Sequence, residues 1–179
     1  MRGQTNLAWQ CCQVAKTSAG LLLYRFEAGG LRVLLVHPGG PFWANRDRGF
    51  WSIPKGEVGD EDERRAAARE FAEELGVEPP VHDWIALGTV VQSGGKRVRA
   101  WAVQGDLDVT AVESNQFEME WPPHSGRRQF FPEVDRAGWF TAVEGREMLL
   151  PSQVPFLDRL KGELGPRAHP RASATRDSR

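Results

Sequence analysis

The amino-acid sequence predicts an α/β protein in which strands flank a central helix. Aliphatic and β-branched runs bounded by glycine turns favour strands, and two segments with apolar residues on one face favour helices. The 179 residues are enough for one domain with a sizeable core. Periodicity alone indicates only mixed α and β structure.

Strands are predicted on both sides of the central helix. Two strands begin near residue 16 and meet at a turn at Gly29-Gly30, with 32–37 as a buried strand. Two more, 84–92 and 97–105, meet at a turn over 93–95. A long loop is expected over 113–129, followed by a final strand at Trp139-Phe140.

Both helices carry end signals. The central helix is predicted to start at Asp60, with Glu63 completing a capping box. It is predicted to end at Gly76, before a pair of prolines. The C-terminal helix follows Pro151 with Ser152 as its cap, and its apolar face is formed by Val154, Leu157, Leu160 and Leu164.

Charge and composition restrict the classes of protein. A net charge of -1 argues against a general polyanion binder. Because the sequence shows neither a membrane-length apolar run nor a secretory signal pattern, a cytoplasmic location is expected. Cys11 and Cys12 are adjacent, which suits neither a framework disulfide nor a metal site. We expect a loose extension over 1–13, one domain over 14–164, and a disordered basic tail over 165–179.

Three carboxylates cluster within one turn of the central helix. Glu70, Glu73 and Glu74 span roughly 100° of its surface, at about 100° per residue. Because like charges repel at this spacing, the cluster lowers local stability. Oxygen ligands on a helix anchored by its apolar side suit Mg²⁺. The alternative is a solvated acidic face on which Arg69 pairs with Glu73.

The stretch 49–77, GFWSIPKGEVGDEDERRAAAREFAEELGV, resembles the signature of the Nudix hydrolase family, G-x5-E-x7-R-E-U-x-E-E-x-G-U. The positions that match in register are Glu61, Arg69, Glu70, Glu73, Glu74, Gly76 and Val77, with Phe71 in the first apolar slot. Four residues separate Gly56 from Glu61, where the family has five. The resemblance implies an α/β/α sandwich with a mixed β-sheet, and hydrolysis of pyrophosphate links with Mg²⁺ or Mn²⁺.

The resemblance also implies residue roles. Glu70, Glu73 and Glu74 correspond to metal ligands, and Glu70 either binds metal or removes a proton from water. The backbone carbonyl of Lys55 or Gly56 joins the metal shell. Arg69 orients a helix carboxylate. The Lys55 ammonium has two interpretations, contact with a phosphate or extension across the loop surface.

Many family members add a distant carboxylate as base or extra ligand. Glu118 and Glu120 are the catalytic candidates here, and they lie on one side if the segment is extended. Glu133 is a third candidate, interpreted mainly as bracing the strand that follows. For each, a solvated loop position is the alternative.

Aromatic and basic residues in or beside predicted loops are candidates for substrate binding. Bases could stack on Trp43, Trp51 or Trp121, although core or lid packing is the alternative. Four arginines could grip a polyphosphate, with a solvated surface as the alternative: Arg46, Arg48, Arg127 and Arg128. His37 and His124 have no partner pattern and receive no role.

The segment WSIPKGE resembles the W-x-x-P-K-G of diadenosine tetraphosphate hydrolases, and residues 19–160 resemble bacterial NTP pyrophosphohydrolases. The main hypothesis is therefore a pyrophosphohydrolase acting on small nucleoside polyphosphates. The shortened loop and basic tail motivate an alternative, a non-catalytic nucleotide- or RNA-binding module. RNA 5′-pyrophosphate removal is a further alternative. A monomer and a homodimer are both compatible with the sequence.

Overall fold

The computed structural model describes residues 17–165. The predicted extension over 1–13, both cysteines and the tail beyond Gly165 lie outside these residues. The elements within the described part are β1 Thr17–Glu27, β2 Gly30–Pro38, β3 Lys55–Glu57, α1 Glu63–Leu75, β4 Ile85–Val91, β5 Arg97–Gln104, β6 Gln116–Glu120, β7 Arg128–Pro132, β8 Val134–Thr141, α2 Ala142–Met148 and α3 Val154–Leu164. No helix between residues 17 and 165 has the length and apolarity needed to cross a membrane.

The main sheet has six strands in the order β4-β5-β1-β2-β8, with β3 paired to the start of β1. β1 and β5 are parallel and the other pairs are antiparallel, so the sheet is mixed. One face packs against α1 and the other against α2 and α3. The α/β/α sandwich with a mixed sheet is therefore confirmed.

Strand β1 runs through the centre of the sheet and is buried on both faces. Leu21 and Leu23 point into the core beneath α1, whereas Leu22 and Tyr24 point into the core beneath α3. This alternation follows from the two-residue period of a strand. Each fully buried leucine contributes about 1.5–3 kcal/mol of transfer free energy.

The segment 51–57 separates the start of β1 from the end of β2. Ser52 and Val36 exchange two backbone hydrogen bonds of 2.9 Å, and Leu21 N–H donates to the Pro54 carbonyl at 3.0 Å. A Cβ at Gly20 would lie 2.7 Å from the Pro54 oxygen, so this close approach requires glycine. The insertion carries Lys55 and Gly56 to the side of the sheet where α1 lies.

The start of α1 differs from the prediction. Asp62, not Asp60, is the N-cap, and its Oδ1 accepts from the backbone N–H groups of Arg64 at 3.0 Å and Arg65 at 3.2 Å. The predicted capping box is wrong because Glu63 already lies in the first helical turn. The predicted end is confirmed: Gly76 has φ of 74° and donates to the Ala72 carbonyl.

The predicted long loop over 113–129 is wrong. β6 and β7 form a two-stranded antiparallel sheet within and beyond it, in which Phe117 pairs with Phe131. The alternation of QFEME carried this signal, because Phe117 and Met119 are half-buried and the polar residues between them are exposed.

The region after β7 also differs. β8 starts at Val134, five residues before the predicted strand, because it pairs with β2 along its length. The helix α2 was not predicted, although Thr141 and Glu144 form a reciprocal capping box at its start. Ser152 does not cap α3, because residues 151–153 form a 3₁₀ turn and the helix begins at Val154.

Candidate active site

Helix α1 and strand β3 are packed closely at the acidic cluster. The helix buries Ala66, Ala67, Phe71 and Leu75 in the core beneath it. Glu70 lies against β3, and a Cβ at Gly56 would lie 1.8 Å from the Glu70 Oε2 atom. Only glycine therefore allows the Glu70 carboxylate to take this position.

Glu74 is the most deeply buried carboxyl of the cluster. Its Oε2 atom is buried without a hydrogen-bond partner in the described part of the chain, and the Lys55 backbone N–H donates to the carboxyl. Burial is the main cause that raises the pKa of Glu74 to about 8; the charge and backbone N–H of Lys55 oppose the rise, and the charges of Glu70 and Glu133 add to it. A nearby cation would stabilise the ionised form of such a buried carboxyl and offset the cost of its burial.

Glu70 is partly buried, with 13% of its side chain exposed. Burial raises its pKa, Arg69 opposes this effect, and the charges of Glu73 and Glu133 add to it. The Glu73 side chain is 37% exposed. The three carboxylates therefore occupy three different environments.

Arg69 connects the acidic cluster to the loop before the helix. Its guanidinium donates to Glu61 and Glu70 at 2.8 Å, to Glu73 at 2.9 Å and to the Glu57 carbonyl at 3.0 Å. These hydrogen bonds, led by the one to Glu61, raise the pKa of Arg69. The guanidinium thereby fixes the orientation of the Glu70 and Glu73 carboxylates. The Arg69–Glu73 pair is also the one expected if this were a solvated helix face.

Glu133 is held near the cluster by backbone contacts. Its N–H donates to the Asn115 carbonyl at 2.8 Å, and its carbonyl accepts from Gly39 N–H at 2.9 Å. Asn115 N–H in turn donates to the Glu73 carbonyl at 3.0 Å, which joins the end of β7 to α1. The Glu133 carboxylate acts on both Glu70 and Glu74, since its charge raises the pKa of each.

The structure places Glu118 and Glu120 in contacts within the hairpin. Glu118 pairs with Arg128 at 3.1 Å, and Glu120 accepts from Gly126 N–H at 2.8 Å. The two carboxylates do share one side of the extended segment, opposite Phe117. Sequence spacing could not rank them against Glu133, because the relation of Glu133 to α1 depends on the tertiary fold.

The predicted stacking residues have different exposures. Trp51 is 5% exposed and packs against Phe140 and His37 in the core, which leaves no open ring face for a base. Trp43 is 37% exposed and lies beneath the Arg46 guanidinium. Trp121 makes an edge contact with an exposed Phe42.

The predicted phosphate-binding arginines are spread over two regions. Arg46 stacks on Trp43 and Phe50, with its guanidinium carbon 5.7 Å and 5.1 Å from the ring centres. Arg48 is 79% exposed and lies 3.5 Å from Glu147 of α2. Arg127 and Arg128 lie at the hairpin.

Comparison with known proteins identifies the family of this chain. The family model of the NUDIX domain matches residues 15–160. The chain belongs to the Nudix hydrolase family. It has no significant match among curated protein sequences.

Solved Nudix structures share the fold. A Caenorhabditis elegans Ap4A hydrolase binary complex is 23% identical with a TM-score of 0.59, covering 82% of this chain and 97% of that one. The NUDIX domain of Shewanella oneidensis NrtR complexed with ADP ribose is 18% identical with a TM-score of 0.61, and the match covers 89% of this chain and 95% of that one. The MutT protein from Methanosarcina mazei Go1 is 22% identical with a TM-score of 0.53, and the match covers 83% of this chain and 94% of that one. At these identities the likeness shows the fold alone.

Nudix hydrolases generally use a divalent cation such as Mg²⁺, and the residues present fit such an ion. The unpaired, buried Glu74 oxygen and the adjacent Glu70 carboxylate supply hard oxygen donors. Within residues 17–165, no three acidic, histidine or cysteine side chains converge closely enough to enclose an ion. Mg²⁺ commonly takes one or two carboxylates and completes its shell with water and substrate phosphate oxygens.

Proposed function

We propose that this Nudix hydrolase is a Mg²⁺-dependent pyrophosphohydrolase, with Mn²⁺ as a possible substitute. Its substrates are small nucleoside polyphosphates, either NTPs or dinucleoside polyphosphates, and water attacks a phosphoanhydride bond. The observation that carries this proposal is the buried Glu74 carboxyl near Glu70, whose Oε2 atom has no hydrogen-bond partner in the described part of the chain. Its uncompensated burial destabilises the folded chain, whereas a bound cation would stabilise it.

Glu70 and Glu74 would hold the cation, with Glu73 and the carbonyl of Lys55 or Gly56 as the other donors of the site. When bound, the ion neutralises phosphate charge and acidifies coordinated water. Arg69 would keep Glu70 and Glu73 oriented through the hydrogen bonds described above.

Glu133 is the carboxylate we assign to proton removal from the attacking water. This role is supported by the effect of its charge on both Glu70 and Glu74, and by the backbone hydrogen bonds that hold Glu133 near α1. The Lys55 ammonium would contact a phosphate, because its charge already acts on Glu74 at the same site.

Nucleotides are the substrate class that the relatives favour. One relative is an Ap4A hydrolase and another is a NUDIX domain bound to ADP ribose, and both Ap4A and ADP ribose are nucleotide compounds. In this chain, the half-exposed Trp43 and Arg46 could receive a base and a phosphate. The proposal includes a cytoplasmic location, where such substrates occur.

The test is product release from a panel of NTPs, dinucleoside polyphosphates and triphosphorylated RNA, with Mg²⁺, with Mn²⁺ and with chelator. We expect metal-dependent turnover of the small nucleotides, lowered at least about 100-fold in Glu74→Gln because several kcal/mol of charge stabilisation are lost. The exposed Glu78, just beyond α1, supplies the matched control Glu78→Gln, which should retain wild-type turnover. Tight nucleotide binding without any product would instead support the non-catalytic module.

A further inference from the structure

His37 makes a set of contacts that the proposed chemistry does not use. It lies in β2, is completely buried, and has both ring nitrogens engaged. Nδ1 lies 2.7 Å from the Asp135 carboxylate of β8, and Nε2 lies 2.6 Å from the Arg46 carbonyl. The ring therefore joins two strands of the sheet to the loop over residues 39–50.

Both partners of this ring are acceptors. The Arg46 carbonyl can only accept, so Nε2 has to donate. An ionised Asp135 carboxylate also only accepts, so Nδ1 has to donate as well, and only the imidazolium form of histidine donates from both nitrogens. Arg136 lies 3.7 Å from the same Asp135 oxygen, which favours the ionised carboxylate.

Charged groups face the ring from the elements packed around it. Asp135 and Arg136 come from β8, and Asp47 comes from the 39–50 loop. Asp47 accepts from Trp51 Nε1 at 2.8 Å and pairs with Arg136 at 3.3 Å. The Trp51 hydrogen bond lowers the pKa of Asp47, with smaller contributions from Arg136 and His37. The charged groups around His37 are therefore the Asp135 carboxylate in direct contact, and Asp47 and Arg136 further away.

We infer that His37 is a doubly donating imidazolium that clamps the 39–50 loop to β8 and thereby positions Trp43 and Arg46. The clamp acts through the Arg46 backbone, which leaves the guanidinium free to stack on Trp43 and Phe50. Other contacts also hold this loop: Gly39 N–H donates to the Glu133 carbonyl, Gly49 N–H donates to the Glu147 carbonyl, and Asp47 pairs with Arg136. The consequence for substrate binding rests on the proposed function.

The first test is nitrogen NMR of the full chain labelled with ¹⁵N-histidine. At pH 7 we expect both ring nitrogens of His37 to be protonated, with His37→Leu identifying the signals. Asp135→Asn removes the ion pair, so the imidazole of His37 in this variant should be singly protonated at the same pH. An unprotonated ring nitrogen in the wild-type protein at pH 7 would overturn the inference.

The second test is amide hydrogen exchange over residues 43–50. Loss of a charge-assisted hydrogen bond should speed exchange about tenfold in both His37→Leu and Asp135→Asn. The exposed His82 supplies the control, and His82→Gln should leave exchange unchanged. Unchanged loop exchange in folded Asp135→Asn would contradict the clamp.

Kinetics then connect the clamp to the proposed function. In Asp135→Asn, KM for the nucleotide should rise about tenfold while kcat stays within about twofold, because the loop contributes binding. A fall in kcat with unchanged KM would contradict the positioning role. The NMR and exchange results judge the clamp even if no nucleotide is hydrolysed, so its failure and that of the proposed function can be told apart.

Discussion

Glu70, Glu73 and Glu74 have the same functional group but different surroundings on α1. Glu74 is buried with one oxygen unpaired, Glu70 is partly buried against Gly56, and Glu73 is more exposed and paired with Arg69. Different environments give identical side chains different proton affinities, and this commonly separates their roles in an active site. We expect Glu74 to contribute most to cation binding.

The role of Glu133 can be tested against the two carboxylates that the sequence favoured. Glu133→Gln should lower kcat about 10²–10⁴-fold, because a positioned base contributes about that much to proton transfer. Glu118→Gln and Glu120→Gln should remain near wild type, since their partners lie within the hairpin. Steady-state kinetics of the three variants decide the question. A large loss in Glu118→Gln or Glu120→Gln with little effect at Glu133 would reverse the assignment.

A methyl group at position 56 should disturb the site without unfolding the protein. In Gly56→Ala the new Cβ would lie 1.8 Å from Glu70 Oε2, so the carboxylate has to move. We expect turnover to fall about 100-fold, since small displacements of positioning groups cost that much. Gly29→Ala is the matched control, because no atom lies within 4 Å of its Cβ. Equal turnover in both variants would show that Glu70 tolerates displacement.

At the residue level, the sequence supplied the glutamates on α1 but not their partners. The helical spacing of Glu70, Glu73 and Glu74 is local, and so it can be read from the sequence. The position of Glu133 near α1 depends on backbone hydrogen bonds with Gly39 and Asn115, which are distant from it in the sequence. Trp51 was expected in or beside a loop, yet its side chain is in the core because the segment 51–53 pairs with β2 inside the sheet, through Ser52 and Val36.

Among the elements, α1 has the clearest sequence signals at its ends. Gly76 ends it as predicted, whereas the N-cap is Asp62, two residues beyond the predicted Asp60. Pattern alone does not choose between Asp60 and Asp62, since the choice depends on which residue first adopts helical dihedral angles. In the structure Asp62 is extended, with φ of -64° and ψ of 137°, and accepts from two helical N–H groups.

Substitution of the two aspartates distinguishes the predicted cap from the observed one. Asp62→Ala should lower the free energy of unfolding by about 1 kcal/mol, because two backbone donors lose their acceptor. Asp60→Ala should change it by less than about 0.5 kcal/mol, as expected for a surface site. Urea denaturation measures both. A larger loss in Asp60→Ala would place the cap where the sequence first indicated.

Predictability differed between the other elements for physical reasons. β1, β2, β4 and β5 are central or long strands, and their apolar runs are evident in the sequence. β6 and β7 are short and largely exposed, so charged residues obscure their alternation. The helix α2 has only seven residues, and its signal was the Thr141–Glu144 capping box alone.

For the molecule as a whole, the buried carboxyl of Glu74 makes stability depend on pH. Without metal, its pKa is about 8 in the folded chain and near 4.5 in the unfolded one. Below about pH 4.5 both states bind the proton, so the contribution of Glu74 to stability is fully present. Between 4.5 and 8 the unfolded state releases this proton while the folded state keeps it, so the free energy of unfolding falls as pH rises.

Urea denaturation at pH 5, 6, 7 and 8 with chelator measures this dependence. Wild type should lose stability, on the order of a few kcal/mol, over this range. Glu74→Gln should show a flatter profile because it has no proton to release. Mg²⁺ should restore part of the wild-type stability at pH 8, since it binds the ionised folded state. Parallel profiles for the two proteins without metal would show that Glu74 does not control the effect.

The hairpin of β6 and β7 forms a separate small sheet, and its strands hydrogen-bond to each other and not to the six-stranded sheet. Its length and sequence can therefore vary during evolution without breaking the pairing that holds the scaffold together. At the end of β7 this hairpin leads directly into Glu133, and Trp121 in its turn contacts Phe42. On the proposed function, exchange of this hairpin would change the surface next to Glu133 while the six-stranded sheet keeps its pairing.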